Sequence, residues 1–390
     1  MTEDPPPETD PRLQPIGGRS AQVATATRGR VVVFGGTGVF GQLAAQLTRE
    51  QGVPVTITGR DARRGERIAR RLGVEFRTAS LREPDSIDAA LDGAVVAVNC
   101  IGPFQEQPLI ILGHCLARGV HYADISDSRE HARRVRELAI AAQPDQITVM
   151  PGLSTVPCIS GCLVRWAAAR LDRIDRVLIA LAPGNRNPRG AATIASLLTS
   201  AGDHFTVPAA DGWREVAGWT EPERVDFGKP MGPRIVRLVD SPDYDLLPPV
   251  VGAAAVEFKA GLELRLLNAG VASCARPRDS ERRRRLARVA RLLSLPLYPF
   301  GTPRGCLLVI VTGRRDGRTM EVRGRVLASS RPLGPVVVAT PAAVAAARLA
   351  TGALTVRGLV SPFGWCEPDA LFDELRNRGA QVDLTVSQVT

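Results

Sequence analysis

Lysine is almost missing from this chain of 390 residues: of its fifty basic side chains only Lys229 and Lys259 are not arginine. The formal net charge is +10, a balance that can serve nucleic acid or an anionic surface. Aromatic residues are only 4%, and no basic run is interleaved with them as single-strand binders require, which argues against nucleic acid. Arginine in place of lysine throughout is also what a GC-rich coding sequence produces. The seven cysteines (Cys100, Cys115, Cys158, Cys162, Cys274, Cys306 and Cys366) form no C-x-x-C and no His/Cys cluster. Their odd number and apolar neighbours fit reduced thiols in a cytoplasmic protein, with neither a disulfide framework nor a zinc site. No eighteen residues are cleanly apolar. The nearest stretch, Val336 to Leu354, contains Pro341 and Arg348 and reads as a helix of a soluble protein rather than a span. Residues 1–28 hold Pro5, Pro6, Pro7 and Pro11 among polar neighbours and lack the apolar core of a signal peptide; they read as a disordered tail.

What is present is globular: 44% apolar residues, in a chain too long for one ordinary core, so two domains are expected. The sharpest feature is Arg30 to Gly41, R-V-V-V-F-G-G-T-G-V-F-G. Four apolar residues running into a glycine turn describe a strand buried on both faces of a parallel sheet. Gly36, Gly38 and Gly41 fit G-x-G-x-x-G, and Gly35, Gly38 and Gly41 fit a spaced variant. In such a loop the first glycine makes the turn, the second admits a pyrophosphate and the third packs helix on strand. Thr37, Val39 and Phe40 complete the loop, and an amphipathic helix from Val39 to about Gln51 offers its amino end to a phosphate.

Strands and helices then alternate. Strands are predicted at 54–58, 74–78, 94–100, 120–124 and 146–150. Helices are predicted at 62–72 (opened by Asp61), 84–91, 108–118 and 129–142. Six strands with crossover helices make a doubly wound parallel sheet of the Rossmann type, whose ligands bind beyond the carboxyl ends of the strands. At the end of the second strand stand Thr58, Gly59 and Arg60, where an NAD-type domain usually has an acid for the ribose hydroxyls. With Asp61 read as a helix cap, Arg60 is placed to contact a 2′-phosphate, so NADP is the expected cofactor. The fourth strand ends V-N-C-I-G-P-F, bringing Asn99, Gly102, Pro103 and Phe104 to the nicotinamide end. The fifth ends H-Y-A-D-I-S, bringing Tyr122, Asp124 and Ser126 to the same rim. His121, Tyr122 and Asp124 are the candidate proton donors or relays.

The glycine loop, Thr58-Gly59-Arg60, the G-P-F and H-Y-A-D-I elements and M-P-G-L-S-T-V-P at 150–157 come in an order and spacing that resembles the saccharopine dehydrogenase-like oxidoreductases. The resemblance covers about residues 30–161. It implies a dinucleotide domain, a following α+β substrate domain that often makes a homodimer, and a chain end returning to the first domain. It also implies that Gly102, Pro103 and Phe104 lie along the nicotinamide and that Tyr122, Asp124 and Ser126 edge cofactor and substrate. The basic groups with which the best-known members hold two amino-acid carboxylates find no counterpart here. Other relatives reduce C=N bonds, and a subgroup resembles trans-acting enoyl reductases of polyketide lipid assembly.

The expected organisation is a tail at 1–28, a dinucleotide domain at 29–157, a substrate domain at 158–334 and a C-terminal segment at 335–390. In the second half a strand at 174–181 leads into a loop with Arg186 and Arg189, candidate contacts for an anionic substrate group, and then a helix to about Ala201. His204, near this helix, reads equally as structural or catalytic. Paired strands are expected within 224–240, and strands at 306–312 and 320–328 around the turn Arg315-Asp316-Gly317. Residues 253–267 are ambiguous by period. Residues 282–297 form a basic amphipathic pattern, a solvated core helix or a membrane-surface contact. Helices are expected at 341–350 and 367–378, the first packing back on the dinucleotide domain. A short-chain dehydrogenase would share the glycine start, but neither lysine has a Tyr four positions earlier, and no G-x-S-x-G elbow supports a hydrolase. The reading is an NADP-dependent oxidoreductase acting on a C=N or C=C bond of a small molecule, lipid- or carrier-linked substrates included; an NADP-binding sensor without turnover is the rival.

Overall fold

The computed structural model describes residues 29–105, 107–187, 201–274, 289 and 295–389. The expected tail, Arg189, the helix after it and nearly all of 282–297 lie outside the described residues.

The apolar run at the start becomes β1 (Arg30–Phe34), with Val31, Val32 and Val33 fully buried. The first crossover unit follows as α1 (Val39–Glu50), β2 (Val55–Gly59), α2 (Ala62–Leu72) and β3 (Glu75–Thr78). Then come α3 (Pro84–Leu91), β4 (Ala94–Asn99), α4 (Ile110–Arg118), β5 (His121–Asp124), α5 (Arg129–Ala142) and β6 (Thr148–Met150). The strands pair in the order β3-β2-β1-β4-β5-β6, all parallel, so the chain reverses direction between β1 and β4. That switch point is where an open α/β sheet holds its ligand.

A seventh strand was not expected. β15 (Gly358–Leu359) adds in parallel to β6, with Gly358 N–H donating to Ile147 O at 2.7 Å and Val360 N–H to Val149 O at 2.9 Å. Two residues carry no periodicity, so nothing in the sequence announces it.

From β6 the chain passes through a kinked turn at Thr155–Ile159, in which Val156 is extended (φ −129°, ψ 125°), into α6 (Ser160–Ala168). The second sheet is mixed, in the order β10-β11-β12-β7-β13-β14-β16, and only β12 and β7 run parallel. Its members are β7 (Arg173–Ala182), β10 (Glu223–Asp226), β11 (Pro233–Leu238), β12 (Ala255–Ala260), β13 (Gly305–Arg315), β14 (Arg318–Ala328) and β16 (Gln381–Gln388). The ambiguous segment resolves into β12 followed by α7 (Arg265–Cys274). β8 (His204–Ala209) and β9 (Gly212–Ala217) form a separate hairpin. His204 is exposed on the first strand of this hairpin, its Nδ1 3.2 Å from Glu215 Oε1. The Asp211-Gly212 turn was the available hairpin signal.

The long C-terminal helix starts earlier than Pro341 suggests. It is α8 (Leu333–Ala350), with Pro341 inside it and packed on α1 and β4. Proline removes an N–H that would bond four residues back, a local cost that burial of most of the helix outweighs. α8 is the one described helix long and apolar enough to cross a membrane, and it lies mostly inside the protein. After β15 the chain turns away again: α9 (Pro368–Asn377) packs on α6, and β16 closes an edge of the second sheet. Residues 335–390 therefore serve both halves.

Candidate functional site

The glycine loop joins β1 to α1, and its glycines divide the work unequally. Gly35 carries the positive φ, +73°, and makes the turn. A Cβ on Gly36 would lie 2.4 Å from Ile57 Cβ, so this glycine lets the loop cross β2 rather than turning the chain. A Cβ on Gly41 would meet Gly35 O at 2.3 Å, which packs helix against loop as expected. Gly38 is different. It is exposed at the amino end of α1, and a Cβ there would touch only Gly35 O, at 3.2 Å. Protein packing asks little of glycine at this position, whereas close approach of a ligand would require it. No side chain caps the first turn of α1, so its N–H groups stay available to an anion. These features fit a dinucleotide pyrophosphate, held by Thr37 to Gly41.

The end of β2 meets this loop directly. A Cβ on Gly59 would lie 2.7 Å from Thr37 Cγ2. Thr58 is buried and Arg60 exposed. Asp61 caps α2, its Oδ1 accepting from Arg64 N–H at 3.0 Å. The side chain that could have bonded a ribose is thus engaged by its own helix.

At the ends of β4 and β5 the structure draws a buried polar network that the sequence did not disclose. Asn99 accepts from Ile101 N–H through Oδ1 (3.0 Å) and donates through Nδ2 to Gln107 Oε1 (2.9 Å) and Tyr122 OH (3.3 Å). Tyr122 OH donates to Asp124 Oδ2 at 2.9 Å, and His131 Nε2 lies 3.1 Å from the same oxygen. Asp124 Oδ1 accepts from Ser126 N–H (3.0 Å) and Gly152 N–H (2.8 Å). Phe104 meets the His131 ring edge-on, centroids 5.0 Å apart.

This network corrects several expectations. Asp124 is fully buried; burial pushes its carboxyl up, but His131 and the two backbone donors outweigh that and hold it below the usual carboxylate range. An anion with both oxygens engaged does not donate a proton. Tyr122 is fully buried, and burial together with Asp124 drives its hydroxyl well above the usual range, so it holds the network instead of facing a substrate. His121 stands at the amino end of β5, the opposite end from the rim. Its Nδ1 accepts from Thr148 N–H at 2.9 Å, and burial and Arg357 push it down to about 4. Asn99 and Ser126 are buried loop-holders, Ser126 Oγ accepting from Ser128 N–H at 3.1 Å. Phe104 turns inward, leaving Gly102 and Pro103 on the exposed lip. Arg186 is exposed at the end of β7; its N–H donates to Thr302 O at 3.0 Å and its O accepts from Arg331 Nε at 2.7 Å, so its backbone ties two loops of the second sheet.

Residues the sequence reading missed are His131, Gln107, Gly152 and Arg129. One signal was there: Ser128 is the N-cap of α5, its Oγ accepting from His131 N–H at 3.3 Å, which fixes where this helix begins beside the end of β5. Asp127, between two buried serines, is exposed at the rim. Arg129, the first residue of α5, leaves the dinucleotide sheet altogether. Its guanidinium binds Asp245 through Nε (2.8 Å) and Nη2, Thr206 O at 2.7 Å and Asp240 Oδ1 at 3.3 Å, and it lies over the rings of Trp213 and Tyr244. The rim is thereby pinned to the second half of the molecule.

Comparison with known proteins agrees with this geometry. Residues 31–150 match the family described as the saccharopine dehydrogenase NADP binding domain. A Mycobacterium tuberculosis protein provisionally named a trans-acting enoyl reductase is 26% identical over 159 residues, 38% of this chain and 38% of that protein. The trans-acting enoyl reductase of Mycobacterium leprae is 25% identical over 137 residues, 33% of each. The chain thus spans well under half the length of these relatives. The apo saccharopine dehydrogenase (L-Glu forming) of Saccharomyces cerevisiae superposes with a TM-score of 0.66 over 93% of this chain and all of that one; at 14% identity this shows a common fold. Residues 31–150 thus carry the NADP-binding domain of the saccharopine dehydrogenase family, and the chain as a whole shares the fold of the yeast enzyme.

Proposed function

We propose that the protein is an NADPH-dependent reductase that delivers hydride to a C=N or C=C bond of a small-molecule substrate. The observation that carries the choice of NADP is the end of β2: Asp61 is spent on the α2 cap, at 3.0 Å from Arg64 N–H, while Arg60 is exposed beside the glycine loop. An exposed guanidinium without a competing acid suits a 2′-phosphate and disfavours the bare ribose of NADH. The nicotinamide supplies the hydride when bound. The chain binds the pyrophosphate on α1, holds Ile101 and Gln107 at the rim through Asn99, and keeps Asp124 charged beneath it. Such positioning is most of what a hydride transfer asks of its protein.

The names of the two mycobacterial relatives favour the C=C version, an enoyl thioester on a carrier or lipid, over the C=N version. The reading carries with it a cytoplasmic homodimer, which light scattering checks. The first experiment is titration of the full chain with NADPH and NADH at fixed salt. Tight NADPH and weak NADH are expected, with Arg60→Ala narrowing the gap. Equal affinities would remove the NADP assignment, and binding of neither would remove the oxidoreductase assignment.

A further inference from the structure

Arg60 is not the only guanidinium at the end of β2. Arg64, one helical turn on, folds back so that its Nη2 donates to Thr37 O in the glycine loop at 3.1 Å. Thr37 O accepts a second bond from Gln42 Nε2 at 3.0 Å, which makes that carbonyl a fixed anchor. Thr37 also touches the end of β2, where a Cβ on Gly59 would lie 2.7 Å from its Cγ2. Arg60 and Arg64 therefore bracket the groove in which glycine loop, β2 and α2 converge. α2 carries other arginines, but among the described residues only Arg64 reaches the glycine loop; Arg71 bonds Gln42 Oε1 instead. Neither Arg60 nor Arg64 has a carboxylate partner among the described residues, so two positive charges stand uncompensated at one exposed spot.

We propose that Arg64 is a specificity residue for the cofactor: anchored on Thr37 O, it presents its guanidinium to the adenosine 2′-phosphate and acts with Arg60 as a two-sided clamp. This rests on the NADPH reading above and adds a residue to it. A flexible arginine must be ordered when it binds, whereas Arg64 is already held, so less freedom is lost on binding. The competing role is that of a strut that merely shapes the glycine loop. The two roles predict different losses, because a strut serves the pyrophosphate and hence every dinucleotide.

The test is calorimetric titration of wild type, Arg64→Ala, Arg64→Lys and Arg60→Ala with adenosine 2′,5′-bisphosphate, ADP, NADPH and NADH at fixed salt. Removal of one charge-assisted contact predicts a loss of about 10- to 100-fold. Arg64→Ala is expected to lose this for the bisphosphate and NADPH while ADP and NADH stay unchanged, with Arg64→Lys restoring part. Equal losses across all four ligands, with folding intact by circular dichroism, would establish the strut and overturn the proposal. So would no loss at all. Wild type that binds neither NADPH nor the bisphosphate overturns the cofactor reading itself, an outcome visible before any variant is compared.

Discussion

Asp243 shows how much one buried side chain can weigh. It is fully buried, receives hydrogen bonds from Ser160 and Ser241 at 3.2 Å, and has no ion-pair partner among the described residues. Burial pushes its carboxyl up from 3.8 to about 7 against those two hydroxyls. A folded-state value above the unfolded one means that the stabilising contribution is complete below about pH 4 and lost as pH rises through about 7. Asp243→Asn, which never charges, should match wild type near pH 4 and exceed it at pH 8 by roughly 2–4 kcal/mol, given about 1.4 kcal/mol per pKa unit. Urea melts of both proteins across this range check the sign; a constant difference would show that Asp243 does not titrate on unfolding. By contrast, Asp124 is equally buried but charged, because His131 and two backbone N–H groups reach it. Burial alone does not determine an acid's state; its donors do.

At the scale of the element, the glycine loop makes a prediction that separates folding from binding. Gly38→Ala adds a Cβ whose one near neighbour is Gly35 O, at 3.2 Å, so stability should change by less than about 1 kcal/mol while dinucleotide affinity falls several-fold or more. Gly41→Ala adds one 2.3 Å from Gly35 O and 2.8 Å from Gly36 Cα, both backbone, so it should cost on the order of 1–3 kcal/mol of stability. Thermal melts with and without NADPH distinguish them. If Gly38→Ala bound normally, the loop would not be the pyrophosphate seat. Much of this element could be read beforehand: strand, loop and helix bounds agree with expectation to within a residue. The roles within it could not, since Gly36 faces Ile57 from another strand and no local pattern records that approach.

At the scale of the molecule, Arg129 joins the halves. Its partners Asp240 and Asp245 are themselves part-exposed, so Arg129→Ala should cost less than the loss of a fully buried pair, about 1–3 kcal/mol. The more telling readout is local. Hydrogen exchange should quicken in the β8–β9 hairpin, where Thr206 O and Trp213 meet Arg129, and stay slow in β1 to β6. Uniform quickening would mean that the residue supports the whole fold and not this junction. The chain end is the second device at this scale, with α8 and β15 on the dinucleotide sheet and β16 on the other.

The alternation of apolar runs and amphipathic segments between Arg30 and Met150 determined the doubly wound sheet by itself, because its strands other than the edge strand β3 are largely buried and its helices bury one face. The glycine spacing, the Asp61 cap and Arg60 likewise rest on neighbours in sequence. Tertiary structure alone decided the rest. It buried Tyr122 and Asp124 and replaced His121 with His131. It tied Arg129 to Asp245, 116 residues away, and carried a helix through Pro341. Each of these depends on contacts between elements remote in the chain, where burial and charge pairing outweigh the local preference that a sequence displays.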